Sequence, residues 1–247
     1  MEFVKPAEPT PEHDVFANVL LYGPPKTGKT AGAATAPGAI LYLNANLPNA
    51  TLFARRRDRE GRISEVRPDS LDLLHEVGNA SMQNPTWDTV VIDEVGELHR
   101  RLLDEASNVA IRPTLHQYGD VSTHVERFCR FMCEAPVNFV MVAHELLIDN
   151  EATGEVDYVP FTGTKAGSAV LGQKLMGMAD IVGYTGIVEQ EDGGRKYMAQ
   201  LVTESGRRGG DRFNVLGDFH EVNLTEWFQL AGVHLGEPQA VETKQAA

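Results

Sequence analysis

Cysteine is scarce in this chain of 247 residues; Cys129 and Cys133 are the only two. A structural zinc site draws on four ligands, and no second cysteine pair stands elsewhere to complete one. Spaced four apart, the two thiols share a face if their stretch is helical. They read as buried structural thiols in a reducing compartment. No run of about 18 apolar residues occurs, so no membrane span is expected. Positive charge is also short: 22 Lys and Arg stand against 35 Asp and Glu, a formal net charge of −13. That excludes a surface coated with cations for nucleic acid, and any DNA contact must use a local basic patch. Missing too is a G-x-G-x-x-G turn ahead of a ribose-binding acid, so hydride chemistry on a dinucleotide is not indicated. No internal repeat and no linker divides the chain. Residues 1–14 lack the basic start and apolar centre of a signal peptide. They are expected to be a flexible segment, with residues 15–235 one domain and 236–247 a flexible tail.

What is present centres on Gly23, Pro24, Pro25, Lys26, Thr27, Gly28, Lys29 and Thr30. These satisfy G-x-x-x-x-G-K-[ST] at every fixed position. Residues 19–22 read as a short buried strand ahead of it, and residues 30–36 as a helix after it. Strand, glycine-rich turn and helix is the context a phosphate cradle needs. Backbone N–H groups in the turn point at a phosphate, and the helix start adds partial positive charge. Lys29 then reaches the β- and γ-phosphates, and the Thr30 hydroxyl holds Mg²⁺.

Further along, residues 39–43 and 63–66 read as strands, and Pro68, Asp69 and Ser70 as a helix start. Residues 89–92 form an uninterrupted apolar run, as a central parallel strand does. The run ends in Asp93 and Glu94. Asp93 is the expected carboxylate partner of the metal. Glu94 is the expected base that polarises the attacking water. A helix follows until Pro113, and another is expected from Gly119. Its apolar stripe is Val121, Val125, Phe128, Met132 and Ala135. Residues 139–143 make a fourth buried strand ending at His144. If that strand neighbours the first, His144 stands beside the γ-phosphate and senses it. Hairpins are expected over 147–161 and over 181–203, with a flexible loop at 162–167 carrying Lys165. Residues 207–212 read as a polar loop and 224–230 as a last helix.

Taken in order, Leu21 to Pro25, Gly28 to Thr30, Thr89 to Asp93 and Val142 to Glu145 resemble the phage-encoded RecA-like nucleotide-binding proteins. These are known as AAA-type ATPases of single-strand annealing or recombination. Pro160, Phe161, Thr162 and Gly163, and Gly210, Asp211, Arg212 and Phe213, fit the same pattern. The resemblance implies an α/β fold: a RecA-like P-loop NTPase core with a mostly parallel central sheet flanked by helices and β-hairpins in the C-terminal third. It implies ATP with Mg²⁺, single-stranded DNA as ligand and a homo-oligomer stacked as a ring or filament. A single-strand-binding or annealing protein is a further implied partner, and the implied location is the cytoplasm of the host cell. Candidate DNA-binding residues are Lys165 and the cluster Arg55, Arg56 and Arg57. Candidate intersubunit residues are Arg207, Arg208 and Arg212. Two positions depart from the family. Asn46 stands where the second strand usually leads to a water-activating Glu, and Asn accepts no proton. Gly210 stands where a Lys is common. Two other functions fit the same P-loop: a kinase for a nucleotide or small molecule, and a nucleotide-gated binding module with little hydrolysis.

Lys29→Ala is expected to abolish productive ATP binding while the protein stays folded, because this lysine supplies charge to a ligand rather than packing to the core. Calorimetric titration with ATP, alongside circular dichroism of the variant, checks both halves. Normal affinity in the variant overturns the P-loop assignment.

Overall fold

The computed structural model describes residues 15–236, except 59–60, 108–111, 151–153 and 191–192. The expected flexible start at 1–14, nearly all of the tail at 236–247, the first hairpin turn around 151–153, and Arg59 and Glu60 of the basic stretch lie outside the described residues.

Six strands run parallel through the centre. They are β1 (Asn18–Gly23), β2 (Ile40–Asn44), β3 (Ile63–Val66), β4 (Thr89–Asp93), β5 (Asn138–Asn150) and β7 (Ile181–Glu189), with β6 (Glu155–Pro160) between the last two in sequence. Their lateral order is β7-β1-β5-β4-β2-β3. β1, β2, β4 and the first half of β5 are buried on both faces and rich in Val, Ile and Leu, as inner parallel strands are, while β3 at the edge is only half-buried. Beyond β7 the sheet turns antiparallel through β8 (Arg195–Gln200) and β10 (Phe219–Glu221); β9 (Gly210–Asp211) pairs with the start of β7. The expected fold class is therefore the one observed: a mostly parallel α/β core with β-hairpins in its last third.

Alternation of side chains sends each strand's residues into two apolar layers. One holds Leu41, Leu43, Val90, Ile92, Phe139 and Met141. It is covered by α3 (Leu71–Gln83), α4 (Val95–Ser107), α5 (Leu115–Met132) and α6 (Lys165–Met178). The other holds Val19, Leu21, Tyr42, Val91, Val140 and Val142. It is covered by α1 (Lys29–Ala33) and α7 (Leu224–Ala231), with α2 (Leu52–Arg57) beside α1. Trp227 is the largest side chain buried there; its indole N–H donates to Glu221 O at 2.9 Å.

Several boundaries differ from the sequence reading. α1 spans only Lys29–Ala33, ending ahead of Pro37. α5 starts at Leu115, not Gly119, because Thr114 and Gln117 form a reciprocal capping box: Thr114 Oγ1 accepts from Gln117 N, and Gln117 Oε1 accepts from Thr114 N. β5 does not stop at His144. It runs on to Asn150 because β6 pairs with its outer half, Glu145 opposite Pro160. Residues 162–167 are not a free loop. Thr164 caps α6, its hydroxyl accepting from Gly167 N at 2.9 Å, so Lys165 is the first helical residue. Within the expected polar loop at 207–212, Gly210 and Asp211 form β9.

Candidate functional site

The carboxyl ends of β1, β5, β4 and β2 meet at one edge. Register does this: Gly23 pairs with His144, Val142 with Asp93, and Asp93 with Asn44. A cleft of about 410 Å³ opens there, lined by Lys29, Thr30, Asn46, Asp93, Glu94 and His144 among others.

The turn after β1 needs its glycines. Gly23 has φ 146°, and a Cβ there would lie 2.7 Å from Thr185 O. Gly28 has φ 85° and caps α1; a Cβ there would run into the ring of Tyr197 on β8. Such φ values cost a side-chain-bearing residue about 1–2 kcal/mol before any overlap. Thr185 on β7 fastens the far side: its hydroxyl lies 2.6 Å from that of Thr27, which also donates to Pro24 O at 2.8 Å. Pro25 and Lys26 are the exposed crest of the turn.

Lys29 is buried, and its ammonium donates to Gly23 O at 2.9 Å and Pro24 O at 2.6 Å. Burial pulls its pKa down to about 8, opposed by Glu94 and Asp93. The lysine thus lies folded across the cradle on bonds that an anion can take over. Thr30 is fixed through its carbonyl, which accepts from the Tyr42 hydroxyl at 2.8 Å.

Asp93 is 1 % exposed. Its Oδ1 accepts from Asn46 Nδ2 at 3.2 Å, and its Oδ2 has no partner. Burial pushes its pKa up to about 6. A buried carboxylate oxygen without a donor, in the same cleft as the Thr30 hydroxyl, fits a divalent cation. Asn46 is therefore the residue that orients Asp93. It is held in turn by Arg101 of α4, whose guanidinium donates to Ala45 O and, at 3.0 Å, to Asn46 O.

Glu94 follows at once and is also buried. Its Oε1 accepts from the His144 backbone N–H at 3.0 Å, and its Oε2 lies 3.1 Å from His144 Nε2. A neutral imidazole in its Nε2–H tautomer makes the second bond. Burial pushes Glu94 up to about 7 and holds His144 below its ordinary value. The side chain of His144 remains 43 % exposed, so its ring has room to turn.

Other sequence candidates lie apart from the cleft. Lys165 is exposed at the start of α6, which packs beside α5 and β6. Arg55 and Arg56 are exposed on α2, across the sheet from α6; Arg55 pairs with Glu65 at 3.4 Å. Arg57 belongs to α2, with its side chain outside the described residues. The three arginines of 207–212 each hold an intrachain partner. Arg207 stacks over Tyr158 and Tyr184, Arg208 faces Asp157 at 3.5 Å, and Arg212 meets Asp180 at 2.9 Å. Tyr197, Arg101 and Asn44 escaped the sequence reading. Each is brought in by chain reversal or by a long-range hydrogen bond, and no local spacing marks it.

A phosphate turn after β1, a carboxylate pair at the end of β4, two strands away, and a parallel sheet define a P-loop nucleoside triphosphatase core. The AAA domain family (AAA_24) matches residues 16–213, and the chain belongs to it. That family generally binds ATP with Mg²⁺. No curated protein matches the chain. Among solved structures it is similar to the flagellar accessory protein FlaH from Methanocaldococcus jannaschii. Identity there is 10 %, the TM-score is 0.41, and the match covers 80 % of this chain and 84 % of that one.

Gly28→Val forces a β-branched side chain into positive φ and into Tyr197. Nucleotide affinity is expected to fall at least tenfold, about 1.4 kcal/mol. Titration with a fluorescent ATP analogue reads this directly.

Proposed function

We propose that this protein binds ATP with Mg²⁺, hydrolyses it, and uses that cycle to control binding of single-stranded DNA in phage-type recombination or annealing. The observation that carries the hydrolytic part is the arrangement of Glu94. It is a buried carboxylate next to the metal-facing Asp93, with its pKa raised to about 7 where a general base works best. Its Oε1 is tied to main chain, so Oε2 is the oxygen that takes a proton from water once the His144 ring turns away. Freed from Glu94, the His144 ring is positioned to report the γ-phosphate. Lys29 and the cradle N–H groups hold the phosphates, and Thr30 and Asp93 hold the metal, which neutralises phosphate charge when bound. The Tyr197 ring, lying against Gly28, offers a flat face for the base.

A backbone path supports coupling to DNA. Phe161 N donates to His144 O at 2.7 Å, and the Phe161 ring packs on Gly96 in the first turn of α4. Four residues on, exposed Lys165 opens α6. A change at His144 therefore reaches the segment that carries this cation. Assembly as a ring or filament, with a second contribution from Arg55 and Arg56, belongs to the same proposal.

Glu94→Gln is expected to keep ATP bound and to cut turnover by about 10² or more. Phosphate release measured beside calorimetric affinity tests it. Undiminished turnover overturns the role of Glu94, and turnover that requires an added phosphate acceptor replaces this reading with a kinase.

Binding of a labelled single-stranded oligonucleotide is expected to be tighter with a non-hydrolysable ATP analogue than without nucleotide. It should weaken with salt by a log–log slope of about 0.7 per phosphate neutralised. Lys165→Ala should lower the affinity and flatten the slope. An affinity indifferent to both nucleotide and salt removes DNA from the proposal.

A further inference from the structure

Two buried oxygens at adjoining strand ends have no recorded donor, and they belong to partners in register. One is Asp93 Oδ2; the other is Asn44 Oδ1. Asn44 is 3 % exposed at the last position of β2. The pair follows Tyr42 and Val91 on the α1 face of the sheet, two residues on along each strand. Burying an acceptor without a donor costs roughly 1–3 kcal/mol, so two side by side call for an explanation.

The orientation of the Asn44 amide is fixed by its other end. Its Nδ2 donates to Glu65 Oε1 at 2.7 Å. A carboxylate only accepts, so the amide must present its N–H₂ to Glu65 and its oxygen away from Glu65. Glu65 is itself anchored, since its Oε2 accepts from Thr51 Oγ1 at 2.7 Å and from Arg55 at 3.4 Å. Several neighbouring donors are directed elsewhere. The Asn46 amide is on Asp93 Oδ1, Lys29 is on the P-loop carbonyls, the Tyr42 hydroxyl is on Thr30 O, and Arg101 is on the turn after β2. None of these groups donates to Asn44 Oδ1, which has no donor among the described residues; a donor from outside the chain would satisfy it.

The geometry points to Asn44 as a second oxygen, beside Asp93, that accepts from the water shell of the nucleotide's Mg²⁺, with Glu65 as the residue that orients it. This rests on the reading of the cleft as an Mg–ATP site. Asn44 is a positioning residue for metal hydration, and Asn46 differs from it by presenting N–H to Asp93 rather than oxygen to the metal side. Removing such an outer partner of a metal typically weakens the metal 10- to 100-fold.

The experiment is calorimetric titration of a non-hydrolysable ATP analogue at a series of Mg²⁺ concentrations, with no turnover involved. Asn44→Leu keeps the branched shape and removes the oxygen. It should leave Mg²⁺-free affinity unchanged and raise the Mg²⁺ concentration for half-maximal tightening about tenfold. The double variant Asn44→Asp with Glu65→Gln exchanges donor and acceptor, keeps the hydrogen bond and puts a negative oxygen where the amide oxygen stood. It should lower that Mg²⁺ requirement below wild type. An unchanged Mg²⁺ requirement in Asn44→Leu, or an increased requirement in the double variant, overturns the inference while the Mg–ATP reading stands. A wild-type protein that binds the analogue with no Mg²⁺ effect, or not at all, overturns both.

Discussion

Parallel register between adjacent strands is the constraint on which the cleft depends. A slip of one residue turns every side chain to the opposite face. In the observed register Gly23 is level with His144, Asp93 is level with Val142 and Asn44, and the apolar residues behind them fill two separate layers. The core therefore enforces the site. Leu43 and Ile92 cannot leave their layer without moving Asn44 and Asp93 out of theirs.

The polar groups at that edge are arranged as a set of mutual restraints. Arg101 holds the turn after β2, the turn presents Asn46, and Asn46 fixes one oxygen of Asp93. Main chain at His144 fixes one oxygen of Glu94. In each carboxylate one oxygen is anchored and the other faces the chemistry. Low local dielectric makes those anchors strong; the second oxygen of Glu94 rests on the His144 ring, while that of Asp93 is left without a recorded partner. Lys29, drawn down by burial, stands opposite with bonds only to carbonyls.

Much of this was legible in the sequence because it is local. The P-loop is eight consecutive residues with a strand before and a helix after. Asp93 and Glu94 follow an apolar run whose strand character is plain, and His144 ends the next buried run. The strand and helix order followed from the same periodicities. Other features were hidden for physical reasons. The capping box at Thr114 lies outside the apolar stripe that marks α5, so the helix start was placed late. β5 passes from a buried stretch to a hairpin arm without a break, and only pairing with β6 shows that it continues. The cap at Thr164 turned an apparent loop into helix. Tyr197 comes to the P-loop across a hairpin some 170 residues on. The opposed amides of Asn44 and Asn46 look alike in sequence; only Glu65 and Asp93 tell them apart.

Thr185 gives the P-loop a further property. By touching Thr27 through its hydroxyl and lying against Gly23, it ties the turn to β7 at its start and its middle. The cradle is thus shaped by folding, and a ligand does not have to order it. The conformational entropy of the turn is lost once, during folding, rather than at each encounter. Nucleotide capture then approaches the rate set by diffusion and orientation, and differences in affinity among ligands lie in how long each stays. With entry set in this way, residence time becomes the clock for a bound nucleotide.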